Sequence, residues 1–278
     1  MGVYYGYTYK LYLFTRKEGL LKFDLHCHTK AGSIDSKIAL IDYIRLLKQQ
    51  GFDGMMITDH TTSKGWKAWD EIKDYDEFKD FTVLKGVEYD TRDAGHFIVV
   101  LPDDVQLKLL SFRGLPLKHL IQIVHSQGGI LGPAHPYGVK SSSAMDQKAL
   151  RVAPELINEF DFIEVFNTCE TPQSNVRAAR LANMHDKPGI AGSDSHKADY
   201  VGMAYTEIEG EVKSNNDFIR AIKENRIVDA GGQEREATPG MARKMHWTAV
   251  YGFMAYNVGL GFLFTPCRKF FKAYELAM

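Results

Sequence analysis

The sequence predicts an α/β fold in which strands and helices alternate around a closed or nearly closed barrel. Apolar runs such as Leu21–His26 and Thr82–Glu88 are followed repeatedly by amphipathic stretches such as Leu117–Gln127. Strands separated by helices favour parallel pairing through crossover connections. Ionisable side chains stand at the ends of the apolar runs, and barrels place their chemistry at the carboxyl ends of strands. This placement favours a barrel over an open sheet.

The individual elements follow from hydrophobic periodicity and from turn residues. Short apolar runs predict strands at Leu21–His26, Gly54–Thr58, Thr82–Glu88, His96–Leu101, Ile130–Ala134, Phe162–Phe166, Pro188–Ala191 and Arg226–Ala230. Apolar residues at helical spacing predict helices at Ser36–Gly51, Leu117–Gln127, Pro154–Phe160, Asn175–His185 and Asn216–Asn225. Glycine provides natural helix stops at positions 51 and 128. The order of these elements is that of one large domain.

Composition and charge limit the class of protein. The 278 residues are 45% apolar and 25% charged, which is enough for a full core. The net charge of −1 gives no overall electrostatic reason to bind nucleic acid, so no stable nucleic-acid partner is predicted. Three widely separated cysteines favour a reducing compartment, and residues 1–20 form a leader without the features of a secretion signal. We therefore expect a cytoplasmic protein.

Residues 236–278 are predicted as an apolar helical tail. Residues 247–267 contain no Asp, Glu, Lys or Arg, and basic pairs flank them. Length alone would permit a membrane span, whereas Asn257, Thr265 and Pro266 interrupt the apolar run. Two interpretations stay open: a helix or helical hairpin that docks on the protein, and a segment that associates with a membrane.

Six of the ten histidines are predicted to end strand-like apolar runs, close to carboxylates or to one another. They occur in DLHCH, TDH, GHF, AHP and GSDSH, and another apolar run, GVE, ends in a glutamate. Imidazole and carboxylate ligands together suit catalytic zinc, manganese or iron. The sequence therefore predicts a metal site at one rim of the fold, formed by His26, His28, His60, Glu88, His96, His135 and His196.

The spacing of the first two motifs indicates how their side chains are used. Alternate residues of a strand share one face, so His26 and His28 point together and can chelate one ion. His60 is interpreted as a ligand from the next strand end. Its neighbour Asp59 is interpreted as an outer acceptor that fixes the tautomer of a metal-bound histidine.

The later motifs add further candidate ligands. Glu88 can bridge two metals through its two oxygens. Asp194 and His196 lie two residues apart among small neighbours that leave room for an ion. Pro136 stiffens the turn after the strand that carries His135. A loop carboxylate that follows the first histidine pair, Asp35, could reach a separate ion.

The ordered series DLHCHT, ITDH, GVE, GH, AHP and GSDSH resembles the PHP (polymerase and histidinol phosphatase) family. The resemblance covers about Leu21 to Arg226, and GSDSHKADYVGMAYTEIEG with its following helix resembles the PHP-associated segment of that family. It implies a distorted (β/α)7 barrel over residues 21–235 that holds two or three divalent metal ions. The implied ligand sets are His26, His28, Glu88 and Asp194 for the first ion, His96, His135 and the bridging Glu88 for the second, and Asp35, His60 and His196 for the third.

The resulting hypothesis is a metal-dependent phosphoric ester hydrolase that acts on a small phosphomonoester, a nucleotide or a short oligonucleotide. Divalent ions activate water and neutralise charge on a phosphoryl group. The candidate proton donor to the leaving group is His196 or a water held by the third ion, and Asp59 or Asp194 is the candidate proton acceptor. Arg177, on a helix whose start lies near the rim, and Asn167, at a strand end, are candidate substrate contacts.

Two other classes of function are compatible with the same residues. An amidohydrolase-type enzyme would use a similar centre to cleave C–N or C–O bonds, and an apolar pocket would favour it. A non-catalytic module would keep the metals for structure alone. The complete ligand set argues against the module, and basic side chains around the metals would favour phosphate.

Overall fold

The computed structural model describes residues 19–138 and 143–235. Strands β1 to β9 are Leu20–Cys27, Gly54–Ile57, Thr82–Asp90, His96–Val100, Ile130–Pro133, Ile163–Asn167, Gly189–Gly192, Ala204–Glu209 and Ile227–Gly232. Helices α1 to α6 are Leu40–Gln49, Lys64–Ile72, Leu117–Ser126, Lys148–Val152, Pro172–Met184 and Asn215–Lys223. Every predicted strand has a counterpart at nearly the predicted place, and α2, α4 and β8 are additional to the predicted elements. The predicted helix Pro154–Phe160 is a 3-10 helix over Pro154–Glu159.

The strands form two sheets of mixed direction. The larger sheet has the order β5-β4-β3-β2-β1-β8-β9, and β6 pairs with β7 in the smaller one. Pairs β1–β2, β2–β3 and β6–β7 are parallel, whereas β4 runs antiparallel to β3 and β5, and β8 runs antiparallel to β1 and β9. The prediction of parallel pairing throughout is therefore wrong. The loop between β3 and β4 spans only residues 91–95, which is too short for a crossover helix.

The two sheets approach each other at two seams. At one seam, the Asp194 amide that follows β7 donates to the His26 carbonyl of β1 over 2.8 Å. At the other, the Asp161 amide that precedes β6 donates to the Leu131 carbonyl of β5 over 2.9 Å. Among the described residues, no continuous series of strand-pairing hydrogen bonds joins the two sheets at these seams. The α/β class is confirmed as a curled, half-barrel arrangement, and the regular (β/α)7 barrel stays a prediction.

Side chains on both faces of the large sheet are buried. In β4, Ile98 and Val100 join an inner cluster, while Phe97 and Val99 face an outer cluster beneath α3. The inner cluster also includes strand residues such as Phe23 and is covered by α6. Each large aliphatic or aromatic side chain buried in this way contributes about 1.5–3 kcal/mol. This two-sided burial fixes the strand register, and with it the positions of the strand ends.

The first helix is shorter than its hydrophobic pattern. The predicted range Ser36–Gly51 contains helix only from Leu40 onward. The residues before it bond to other loops instead: the Lys37 amide donates to the His196 carbonyl over 3.0 Å. This bond joins the loop after β1 to the loop after β7. Lys37 therefore stabilises the edge where the histidines lie instead of extending the helix.

Two predicted segments fall outside the described residues. They are the leader, apart from residues 19 and 20, and the tail of residues 236–278. The membrane interpretation of residues 247–267 therefore stays a prediction. Within the described ranges, no helix has the length and apolar character that crossing a bilayer requires.

Candidate metal centre

The predicted ligands meet at one edge of the sheets, which we call the rim. The carboxyl ends of β1, β2, β3, β5 and β7 reach this edge, as does the amino end of β4 because β4 runs in the opposite direction. His96 is the first residue of β4 and pairs in register with Asp90, the last residue of β3. The expectation that every ligand follows a strand is therefore wrong for His96, which begins one.

Four side chains converge as the first predicted set. His28 Nε2 lies 3.1 Å from Asp194 Oδ1 and 3.3 Å from Glu88 Oε2. His26 Nε2 lies 3.5 Å from Glu88 Oε2 and 3.6 Å from Asp194 Oδ1. Metal–ligand bonds of about 2.0–2.2 Å hold two ligand atoms of one ion roughly 2.8–3.6 Å apart, depending on the angle. All four distances are consistent with ligands of a single ion.

Three of the convergent atoms have no well-formed hydrogen bond within the described part of the chain. Nε2 of His26, Nε2 of His28 and Oε2 of Glu88 are buried and have no hydrogen-bond partner among the described residues. A buried polar atom without a partner costs about 1–3 kcal/mol. A divalent cation would satisfy all three atoms at once, so the residues present fit the metal that the sequence predicts.

Glu88 connects the first set to the second. Its Oε1 lies 2.8 Å from His96 Nδ1 and 3.1 Å from His135 Nε2, while its Oε2 faces the first set. These three side chains form one group able to hold an ion. Oε1 therefore faces the second set and Oε2 faces the first, as a bridging ligand requires, and His60 Nδ1 of the third set also lies 2.9 Å from Oε2.

The third predicted set lies nearer to solvent. Asp35 Oδ2 is 3.3 Å from His196 Nε2 and 3.7 Å from His60 Nε2. The Asp35 side chain is 52% exposed, whereas His60 and His196 are half-buried. His28 also lies close enough to His60 and His196 to form a three-histidine group. The structure thus brings all nine predicted ligands to the rim, and their role in binding metal stays a prediction.

A layer of acceptors behind the first set determines which ring nitrogen faces the metal position. His26 Nδ1 lies 2.8 Å from Glu164 Oε1, and His28 Nδ1 lies 3.0 Å from Ser33 Oγ. The Ser33 hydroxyl donates to Asp59 Oδ1 over 2.9 Å, so it accepts from His28. In the neutral form, each ring therefore carries its proton on Nδ1 and presents a lone pair at Nε2.

Asp59 is enclosed by the loop that follows β1. It accepts from the backbone N–H of Thr29 over 2.7 Å and from the Thr29 hydroxyl over 2.8 Å. Gly32 and Gly65 pack directly against its carboxylate, and a methyl group at either position would overlap it. Burial raises the pKa of Asp59. This environment supports the predicted role of Asp59 as an acceptor behind a metal-binding histidine. Asp59 orients His28 indirectly, through the Ser33 hydroxyl.

Asn167 lies at the carboxyl end of β6 and is buried. Its side-chain amide donates to Glu164 Oε2 over 3.2 Å and to Asp194 Oδ2 over 3.3 Å. These contacts hold Asp194 in orientation, and the substrate contact of Asn167 stays a prediction. Arg177 is exposed on α5, with its guanidinium 4.0 Å from the centre of the Tyr137 ring.

Two buried carboxylates beside the centre carry roles that the sequence reasoning missed. Glu164 is the second residue of β6, which ends at Asn167, and its contact with His26 does not follow from that position. Asp24 of β1 accepts from the Ser193 amide over 2.9 Å and from the Ser193 hydroxyl over 2.6 Å. Burial raises the pKa of Asp24 to about 6. Asp24 thus joins the ligand-bearing ends of β1 and β7.

Burial and charge oppose each other at the centre. Burial acts to raise the pKa of Glu88, but attraction to His96 and other histidines holds that pKa well below its usual range. Asp194 shows the same balance, with His26 as its main opposing charge, and its pKa is also well below normal. Burial acts to lower the pKa of His60, yet the neighbouring carboxylates raise it to about 10. The carboxylates are therefore anionic and able to attract a cation.

Comparison with known proteins agrees with this geometry. The PHP domain family matches residues 24–173, which is more than half of the chain. The chain belongs to the PHP domain family. A second family, described as PHP-associated, matches residues 172–227 of this PHP protein. Both matches confirm the resemblance that the sequence motifs carry. No curated protein matches the chain significantly.

Solved structures share the PHP fold at low identity. PsfC from Pseudomonas syringae is 16% identical with a TM-score of 0.58, over 84% of this chain and 98% of that one. A candidate metal-dependent phosphoesterase from Bifidobacterium adolescentis is 18% identical with a TM-score of 0.54, over 74% and 96%. The lesion-specific endonuclease PfuEndoQ from Pyrococcus furiosus is 15% identical with a TM-score of 0.56, over 77% and 59%. At these identities the likeness establishes the fold alone.

Proposed function

We propose that this PHP protein is a metal-dependent phosphoesterase that hydrolyses a small phosphomonoester, a nucleotide or a short oligonucleotide. The observation that carries the proposal is the position of Glu88 between two groups of histidines. Its two oxygens face different groups, which is the arrangement needed to hold two ions side by side. Membership of the PHP family and the phosphoesterase among the structural neighbours support the same reaction class.

Zinc, manganese or iron ions held in these sets would activate a water molecule and neutralise charge on a phosphoryl group. The first set would consist of His26, His28, Glu88 and Asp194, the second of His96, His135 and the shared Glu88, and the third of Asp35, His60 and His196. The chain itself contributes orientation and proton transfer.

Asp194 is the better placed of the two candidate proton acceptors. Its Oδ1 faces the rim, and Asn167 steadies the other oxygen over 3.3 Å. Asp59 is fully buried and already accepts from Thr29 and Ser33, so it serves to orient His28.

His196 has two possible roles that exclude each other. Its Nδ1 lies 3.0 Å from the Asp194 carbonyl and donates to it. Only Nε2 then remains, either as a lone pair for the third ion or, when protonated, as a proton donor to the leaving oxygen. A protein that binds two ions would leave His196 free for the second role.

Arg177 is our candidate for substrate phosphate. It stacks on Tyr137, two residues after His135, which supports a position near the second set. A guanidinium can contact two phosphate oxygens at once. Arg177→Ala should therefore raise KM for a phosphomonoester more than it lowers kcat.

The test is hydrolysis by full-length protein that has been stripped of metal and reloaded with zinc, manganese or iron. The panel includes p-nitrophenyl phosphate, bis-p-nitrophenyl phosphate, mononucleotides, dinucleotides, and amide and lactone substrates for the amidohydrolase alternative. We expect metal-dependent phosphate-ester cleavage that falls at least about a hundredfold in His26→Ala and Glu88→Gln. His119→Ala, at an exposed position of α3, is the matched control and should retain activity. Cleavage of amides or lactones alone would contradict the proposal, as would equal rates in all variants.

A further inference from the structure

Asp90 has no place in the implied ligand sets, yet it contacts one of their members. Its Oδ1 lies 2.6 Å from His96 Nε2, and its Oδ2 forms an ion pair with the Arg113 guanidinium. We propose that Asp90, held by Arg113, is a positioning residue that accepts a hydrogen bond from Nε2–H of His96. The lone pair on Nδ1 of this ring then faces the second metal position. This inference rests on the metal centre of the proposed function.

The surroundings of His96 determine which of its nitrogens faces the metal. Nδ1 lies 2.8 Å from Glu88 Oε1, and His135 Nε2 approaches the same oxygen at 3.1 Å. Nε2 faces Asp90 instead. A neutral imidazole has one N–H and one lone pair, so a lone pair directed at the Glu88 group requires the proton to be on Nε2. The ring therefore uses Nδ1, whereas His26 and His28 use Nε2.

The burial of Asp90 supports its role as an acceptor. Its side chain is 11% exposed, and neither carboxylate oxygen has a well-aligned hydrogen bond within the part of the chain that the structure describes. A small rotation of the His96 ring would turn the 2.6 Å contact into such a bond. A carboxylate that accepts from the far nitrogen of a metal-bound histidine fixes its tautomer and strengthens it as a ligand.

Arg113 argues against Asp90 as a metal ligand itself. Asp90 could in principle join His60 and His96 as a three-residue group around an ion. However, an ion there would share the carboxylate with the Arg113 guanidinium, and two cations within a few ångströms repel each other strongly where water is largely excluded. The same guanidinium stabilises Asp90 as an anion, which is the state that an acceptor needs.

The loop that carries Arg113 is fastened to the strand that carries Asp90. The Gly114 amide donates to the Asp90 carbonyl over 2.8 Å, directly after the arginine. The Leu115 amide donates to the hydroxyl of Tyr89 over 3.1 Å. Since the ring of Tyr89 lies in the core, these bonds hold Arg113 beside Asp90 as part of the fold.

The experiment measures stepwise metal affinity of the full-length, metal-stripped protein by competition with a chromophoric chelator, using zinc and then cobalt. Asp90→Ala should weaken one bound ion about 10- to 100-fold and leave the tightest other ion within about twofold. Asp90→Asn should have a smaller effect, because an amide oxygen can still accept from His96. Arg113→Gln should act in the same direction, and the cobalt absorption of the weakened ion should change. Asp104→Asn, an exposed carboxylate beyond β4, is the control.

Two results would overturn the inference. Unchanged affinity in Asp90→Ala would show that His96 needs no such acceptor. Equal and complete loss of one ion in Asp90→Asn and Asp90→Ala, with no effect of Arg113→Gln, would make Asp90 a direct ligand instead. If Asp90→Ala does not fold, the other two variants decide. Failure of the wild-type protein to hydrolyse phosphoesters would reject the proposed function, but it would leave this metal-affinity readout intact.

Discussion

Replacing Glu164 by glutamine should be costly, although the two side chains have nearly the same shape. Glu164 is fully buried; its Oε1 faces His26 Nδ1 at 2.8 Å, and its Oε2 accepts from the backbone N–H of His135 and the side-chain amide of Asn167. Glutamine has only one oxygen at its end. In one orientation its NH2 group meets the donors of His135 and Asn167, and in the other it meets the His26 N–H.

The size of the effect follows from the bonds that are lost. A hydrogen bond to a charged group contributes about 1.5–3 kcal/mol, and a buried donor left without a partner costs about 1–3 kcal/mol. The first orientation loses the bonds from His135 and Asn167. The second loses the bond from His26, so the His26 ring is no longer held in its orientation. We therefore expect Glu164→Gln to lower the free energy of unfolding of the metal-free protein by about 2–4 kcal/mol. Metal affinity at the first set should fall about 10- to 100-fold.

Urea unfolding of the metal-free protein, followed by chelator competition, measures both quantities. Glu159→Gln is the matched control, because Glu159 is exposed and should change neither. A loss of unfolding free energy below about 1 kcal/mol, combined with unchanged metal affinity, would refute the reasoning. It would mean that Glu164 does not accept these three bonds in solution.

Three further substitutions test the packing around the centre. Gly192→Ala places a methyl group against the backbone and Cβ of His26, and urea unfolding should show a loss of about 2 kcal/mol or more; wild-type stability would contradict this close approach. Ser214→Ala removes the N-terminal cap of α6 and should cost about 1 kcal/mol by the same measurement. Tyr89→Phe deletes the hydroxyl that fastens the loop of Arg113 and should cost about 1–3 kcal/mol, with metal affinity weakened in the direction expected for Arg113→Gln.

The sequence predicts that the candidate ligands lie together because strand ends are visible in it. The His26 and His28 pair and Glu88 stand at the ends of short apolar runs, and parallel strands of one sheet end at the same edge. Asp194 follows β7 of the smaller sheet, which meets β1 at that edge. No knowledge of side-chain packing is needed for that inference. The structure brings these residues together as the strand ends require.

The strand directions and the outer partners could not be read in the same way. Hydrophobic runs mark a strand but not its direction, so the reversal of β4 was hidden, although the five-residue loop before it was a clue. Glu164 contacts His26, 138 residues away in the sequence, and Arg113 contacts Asp90 from a separate loop. Such contacts depend on side-chain geometry, about which the local pattern carries no information.

Non-glycine residues with a left-handed backbone conformation fall into two groups, those that end helices and those that lie at the rim. Among the described residues, five that are not glycine have positive φ. Asp186 and Asn225 lie just beyond α5 and α6, where a left-handed residue commonly ends a helix. The other three follow strands at the rim and have no such structural reason. They are Thr61 after β2, His135 after β5 and Asp194 after β7.

Glycine would remove a cost of roughly 1–2 kcal/mol at each of these three positions. Two of them nevertheless carry an imidazole or a carboxylate that reaches the histidine cluster: His135 Nε2 lies 3.1 Å from Glu88, and Asp194 Oδ1 lies 3.1 Å from His28. A left-handed turn directly after the strand keeps the Asp194 amide on the β1 backbone while its side chain points into the cluster. We infer that the left-handed conformation at these two positions serves to direct their side chains into the cluster.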